Sequence, residues 1–274
     1  MKIKITLLLL AFATISCGDQ KKEKIKGNKE VVDVYRNLDD FSEVIISDNL
    51  EVSIKQDKTN LYHLETDENL VDAIAFEIAD DVLKIYTKNR ILSSKRLNIT
   101  LSVSNLEKIT LEDSAEIETM NKIESKELLL IALDDSKFKI DLMVDDATIT
   151  MNDNSNGDVQ LKGGDAKLVL NDNTYFKGKI TLNTMELEIN KRADFKAKGT
   201  VEDLKITATG STDINAEELQ SEKANLIANN NADVYVFASK ELKLYANGKS
   251  NIYVYGNPDI QVDGLNDKSQ IIKK

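Results

Sequence analysis

The sequence predicts an all-β protein: a right-handed parallel β-helix, or solenoid, preceded by a strand-rich N-terminal portion. Three observations carry this. From Val31 onward apolar and polar residues alternate, the period of a strand with one buried face. Helical period is almost absent, Asp67–Ile74 being the one short stretch that reads as a helical turn. Beyond residue 105 a strand, a polar cluster and a new apolar residue recur about every 19 residues, the mark of a stacked repeat.

The elements follow in chain order. Met1-Lys2-Ile3-Lys4 is a short basic region, and Ile5–Ile15 is an apolar run. Such a run is about half the ~20 residues that cross a bilayer, so residues 1–16 read as a secretory signal. Ala11-Phe12-Ala13 suits an ordinary signal peptidase, whereas Thr14-Ile15-Ser16-Cys17 resembles a bacterial lipobox. Cys17 is the only cysteine and sits where the apolar run ends, so lipid attachment at Cys17 is the reading adopted. More than one acyl chain, at ~0.8 kcal/mol per buried methylene, anchors a protein stably. Residues 17–30 then read as lipidated cysteine and flexible tether, since Gly18–Glu30 has almost no apolar content. Thirteen such residues reach at most ~45 Å.

Residues 31–105 form the strand-rich N-terminal part, with strands expected at Phe41–Ile46, Leu50–Ile54, Leu61–Thr66, Val82–Tyr86 and Leu97–Val103. Residues 106–274 form the repeats. Aligning the apolar residue after each polar cluster gives Ile117, Phe138, Val159, Phe176, Phe195, Ile214, Val234 and Ile252, at intervals of 21, 21, 17, 19, 19, 20 and 18. Propeller blades are about twice as long, and the leucine-rich frame is missing. Eight rungs at ~4.8 Å make a rod of about 38 Å; an irregular β-sandwich is the other architecture compatible with the pattern. The clusters Asn152-Asp153-Asn154, Asn171-Asp172-Asn173, Asn229-Asn230-Asn231 and Asn247-Gly248 suit the left-handed backbone of tight turns and amide ladders between rungs.

Composition narrows the functions. Lys+Arg 36 against Asp+Glu 47 gives a formal charge of -11, which offers no electrostatic footing for nucleic acid. One Cys and one His, His63, exclude a disulfide framework and a multi-His or Cys-based metal site. His63 reads as a packed or half-exposed strand residue without a catalytic partner. The residue before each aligned apolar position faces outward, which places Asp194, Asp213 and Asp233 on three consecutive coils. Like charges ~4.8 Å apart in water repel by about 0.9 kcal/mol, and Ca²⁺ would relieve this, so the three are candidate calcium ligands. Arg192, beside Asp194, is the only Arg of the repeats and with the ladder defines an alternative: calcium-assisted polysaccharide binding or cleavage on the exposed face. Tyr235 and Tyr253 are expected to point outward and stack, as a ligand surface or as the finish of the last coils.

Arg36-Asn37-Leu38-Asp39-Asp40-Phe41, then Leu50–Gln56, Leu242–Gly248 and Tyr253–Pro258 carry a family resemblance. On these residues the chain resembles the uncharacterised bacterial family of putative auto-transporter adhesins, head GIN domain, over roughly residues 33–271. The family's Gly-Ser-Gly turns are mostly Asx or acidic here; Thr209-Gly210-Ser211-Thr212 and Asn247-Gly248-Lys249-Ser250 keep the flavour. The resemblance implies an envelope location. The expected role is non-catalytic: an outer-membrane lipoprotein, at the cell surface or periplasmic face, adhering to or scaffolding an envelope protein or glycan.

Overall fold

The structure, a computed structural model, describes residues 22–274. The signal segment and Cys17 lie outside the described residues. Strand order follows from the alternation. After β1 (Lys24–Lys26), β2 (Val31–Asn37), β3 (Glu43–Ile46), β4 (Glu51–Gln56) and β5 (Leu61–Asp67) comes one 3-10 turn at Glu68–Ala73. Then follow β6 (Ile74–Ala79), β7 (Val82–Thr87), β8 (Arg90–Ser93), β9 (Leu97–Val103), β10 (Lys108–Leu111), β11 (Glu116–Thr119) and β12 (Ile123–Ala132). Long bent strands come next: β13 (Lys137–Met151), β14 (Asn156–Leu170), β15 (Tyr175–Lys191), β16 (Asp194–Gly210), β17 (Asp213–Asn230) and β18 (Asp233–Ala246). The chain finishes with β19 (Asn251–Gly256), β20 (Asp259–Leu265) and β21 (Gln270–Lys273).

Each long strand is one coil of a parallel β-solenoid. In β13, Phe138, Ile140, Leu142 and Val144 are buried; Asp145 and Asp146 are both exposed; then Ala147, Ile149 and Met151 are buried. Two adjacent exposed residues flip the phase of the alternation, so the strand bends there and both halves face one core. Gly164-Asp165 and Asn183-Thr184 turn the same corner in the next coils. The other corner is a four-residue turn whose second residue has positive φ: Asp134, Asp153, Asp172, Lys191, Gly210, Asn230, Gly248 and Asp267 stand at this place. Asx and Gly tolerate that backbone, which is why the polar clusters recur where they do. The turn's fourth residue points inward and is small: Ser136, Ser155, Thr174, Ala193, Thr212 and Ala232 are all buried.

Side-chain amides link the turns: Asn171 donates to Asn152 at 2.9 Å, Asn190 to Asn171 at 3.0 Å and Asn173 to Asn154 at 3.1 Å. Inside, Phe176 and Phe195 stack with centroids 5.4 Å apart.

Three boundaries differ from the sequence reading. First, the anchor of the β14 coil is Gly157, not Val159: Gly157 pairs with both Phe138 and Phe176, and Val159 pairs with Ile140. A Cβ on Gly157 would lie 2.3 Å from Phe138 Cζ, so the ring of one coil fills the place of the next coil's missing side chain. Glycine carries no apolar signal, which displaced the alignment by two residues.

Second, the solenoid does not begin at 106. β3 and β4 pair in parallel with β10 and β11, and on their other side with β7 and β9. Two of its coils therefore lie within residues 31–105. β2, β5 and β6 add antiparallel strands that close this end, with Tyr62 stacked on Phe76 at 3.7 Å. Third, residues 22–30 are docked rather than free. β1 pairs with β8, Lys22 bonds Asp48 at 2.5 Å, and Asn69 holds both Lys26 O and Asn28 N. Interior solvation of Asp67 comes from the backbone N–H groups of Lys29 and Lys95.

Candidate binding face

Parallel pairing in register turns each outward position into a row across the molecule. One row runs Glu51, Glu116, Lys137, Asn156, Tyr175, Asp194, Asp213, Asp233, Asn251 and Gln270. The three aspartates are therefore stacked on consecutive coils, as their spacing predicts. Asn156 takes the place that the two-residue slip had assigned to Asp158. Burial holds the Asp213 carboxyl above its ordinary value, and the charges of Asp194 and Asp233 add to this. Burial alone raises Asp194. At the top, Asn251 donates to Asp233 Oδ1 at 2.8 Å, an amide tempering the acidic run.

Stacking is not convergence. Among the described residues no three His, Cys, Asp or Glu side chains are grouped to hold a metal ion. Arg192 belongs to the turn corner, where its Nε donates to Asn173 Oδ1 at 2.8 Å, one coil back.

The neighbouring row runs from the capped end through Tyr35, His63, Thr100, Ser53, Glu118, Lys139, Asp158, Lys177, Lys196, Asn215, Tyr235, Tyr253 and Ile272. Tyr235 and Tyr253 stack at 4.4 Å with an interplanar angle of 11°. They do not finish the solenoid, because Ile272 follows in the row and Lys274 Nζ lies 5.3 Å from the Tyr253 ring centre. Burial first, then Tyr253 and the nearby aspartates, raises the Tyr235 hydroxyl's pKa. His63 does have a partner: its Nε2 lies 2.7 Å from Asp33 Oδ1, and its ring stacks on Tyr35 at 4.2 Å. Asp33 is 30 residues away and reaches His63 through antiparallel β2–β5 pairing, a contact with no linear signature.

Where the two rows cross the early coils they frame a groove of about 610 Å³, walled by Tyr175 and floored by Phe138 and Gly157. Apart from Glu51, its charges are paired along the stack: Lys137 with Glu116 at 2.5 Å, Lys139 with Glu118 at 3.6 Å, Lys177 with Asp158 at 3.3 Å. Asn98, Thr100, Ser53 and Asn156 add uncharged polar groups. The groove escaped the sequence reading because its residues come from β4, β9, β11 and β13–β15, and because the anchor at Gly157 was displaced.

Comparison with known proteins agrees with this architecture. The family model described as putative auto-transporter adhesin, head GIN domain, matches residues 40–163 and again 154–258. A solved putative adhesin from Parabacteroides distasonis is 18% identical with TM-score 0.65, covering 92% of this chain and 100% of its own. A putative adhesin from Parabacteroides merdae is 18% identical with TM-score 0.63, covering 92% and 99%. A structure described as a putative lipid binding protein, also from Parabacteroides distasonis, is 18% identical with TM-score 0.62, covering 92% and 100%. At such identity the likeness is one of fold. No curated protein matches the chain.

Proposed function

The chain belongs to the family described as putative auto-transporter adhesin, head GIN domain, and from that premise we propose a non-catalytic cell-envelope lipoprotein whose solenoid flank adheres to or scaffolds an envelope partner. The observation that carries this reading is the pair of outward rows running from His63 at the capped end to Gln270 and Ile272 at the other. A hydrogen-bonded stack holds such side chains at fixed spacing, so a partner meets a preorganised surface and little ordering entropy is lost on contact. Membership of an adhesin-like family points to the cell surface or envelope. Anchoring at Cys17 is supported by the lipobox-like Thr14-Ile15-Ser16-Cys17. With Lys22 bonded to Asp48, the chain between Cys17 and Lys22 spans at most ~18 Å, which keeps the capped end close to the membrane.

Protease shaving of intact cells tests the reading. Digestion of the solenoid while a periplasmic control survives is the expected result for an adhesin. Protection until the outer membrane is opened would remove adhesion and leave a periplasmic scaffold. Incorporation of labelled palmitate, lost in Cys17→Ser, tests the anchor separately.

The groove beside Tyr175 and the Tyr235–Tyr253 stack favour a second reading, contact with a polysaccharide, calcium-assisted through Asp194, Asp213 and Asp233. Binding of acidic polysaccharides with and without millimolar calcium distinguishes it. The expected outcome on this reading is binding that weakens in Tyr175→Ala; equal, negligible retention of both proteins ends it.

A further inference from the structure

The two ends of the solenoid are built differently. Antiparallel β2, β5 and β6 cover the first coils, as described above. At the other end, among the described residues, β20 pairs only with β18, and β21 only with β19. Each therefore presents a free row of backbone N–H and C=O groups, the kind of edge that templates another strand.

The side chains of this last layer are those of a core. Ile260 lies in register with Leu242, Val262 with Leu244, Leu265 with Ala246 and Ile271 with Ile252. Leu242 and Leu244 are each 1% exposed, whereas Ile260 is 38%, Val262 46% and Leu265 45% exposed. One more layer of strands would bury them. The charges select which strands. β20 carries Asp259 and Asp263 and no basic residue; β21 carries Lys273, followed by Lys274, and no acidic one. β20 against β20 brings carboxylates together. β20 against β21 brings opposite charges together and leaves apolar residues facing apolar ones.

We propose that this open end docks a second copy of the chain, β20 of each copy pairing with β21 of the other. Within a coil the two strands run in opposite directions, so both new pairings are antiparallel. A single two-fold axis along the strand direction generates both, and such a contact closes on itself. The result is a tail-to-tail dimer with the capped ends pointing apart. Among the described residues the capped end offers no matching open layer, so the stack stops at two.

Sedimentation equilibrium of the full chain carrying Cys17→Ser, which keeps acyl chains from driving association, tests this. The expected species is a dimer above about 10 µM. Val262→Lys, at an exposed position, is expected to leave a monomer with unchanged circular dichroism and melting temperature. Lys273→Glu is expected to raise the dissociation constant about tenfold, and Asp259→Lys combined with it to recover most of the loss. A monomer at every concentration up to ~100 µM, a dimer that survives Val262→Lys, or assemblies longer than two would each overturn the proposal.

Discussion

Asp213 lies between two carboxylates of its own kind, and its behaviour with pH follows. Its pKa is raised in the folded protein by burial and by Asp194 and Asp233. Between the ordinary carboxylate value and that raised value the folded state holds more protons than the unfolded one. Stability contributed at this site therefore falls as pH rises through that window and is flat above it. Asp213→Asn removes the repulsion and the slope, and its amide can bridge neighbours as Asn251 does Asp233. At neutral pH the variant is expected to gain about 0.5–1 kcal/mol in urea unfolding, a Coulomb term trimmed by solvent screening. No gain, or a loss, would show that the repulsion between the stacked carboxylates is screened by solvent. Calcium that stabilises the parent protein and not the variant would show that the aspartate serves as a ligand.

Two more residues make sharp cases. Gly199 has φ +124°, and a Cβ there would lie 1.9 Å from Ile180 O, a backbone atom of the coil below. Gly199→Ala is expected to cost roughly 2–4 kcal/mol, read as a lower denaturation midpoint at unchanged slope. Ser155 places a buried hydroxyl with no partner among the described residues at the turn position where Ala193 and Ala232 stand in other coils. Ser155→Ala is expected to be neutral or to stabilise by up to about 1 kcal/mol. A loss above that would show that the hydroxyl is satisfied in solution.

The coil is the unit at the next scale, and it has two corners, one more legible in the sequence than the other. The turn corner is written in Asx and Gly residues, because positive φ at Asp153, Asp172 and Asn230 needs side chains that tolerate it. Lys191 occupies the same place at φ 64° and carries no such signal. The bend corner appears as two consecutive polar residues, visible at Asp145-Asp146 and half hidden at Gly164-Asp165, where a glycine takes the first place. Register is where local reading slips, since Phe138 fills the space above Gly157 and no linear rule pairs a ring with an absence. Because Gly157 and Phe176 are register partners, deleting residues 157–175 removes one coil in phase and joins Asn156 to Phe176. That variant is expected to fold cooperatively with the parent's β-rich circular dichroism and a lower midpoint. A deletion half that length, out of phase, is expected to give an insoluble product. If both variants behave alike, the coils are not independent units.

At the scale of the molecule, one end is capped and the other open, and this polarity organises the functional readings. Residues 22–30 lie against the capped end through β1–β8 pairing and the Lys22–Asp48 bond, so an anchor at Cys17 would hold that end toward the membrane. The open end with Ile260, Val262 and Leu265 would then point away from it. A tail-to-tail dimer in this orientation bridges two facing membranes, whereas monomers expose the end to an outside partner. Surface shaving and sedimentation together separate these arrangements. A cell-surface solenoid that dimerises is expected to promote clumping of cells, lost in Val262→Lys.

By itself the sequence determined what is local or periodic. Alternation marked the strands, the recurring Asx clusters marked the turns, and aligning the apolar residue after each cluster brought Asp194 level with Asp213, because stacking repeats a position once per coil. The stacking of Tyr235 on Tyr253 came from the same alignment, one coil apart. Only the tertiary structure decided what joins distant segments. It stacked β3 and β4 against the coil that follows residue 106, brought Asp33 to His63, docked residues 22–30 on the body, and assembled the groove beside Tyr175. It also left Ile260 and Val262 uncovered, although their alternation is that of a buried strand. The reason is physical: alternation reports which face of a strand is apolar, and only the neighbouring chain decides whether anything lies against it.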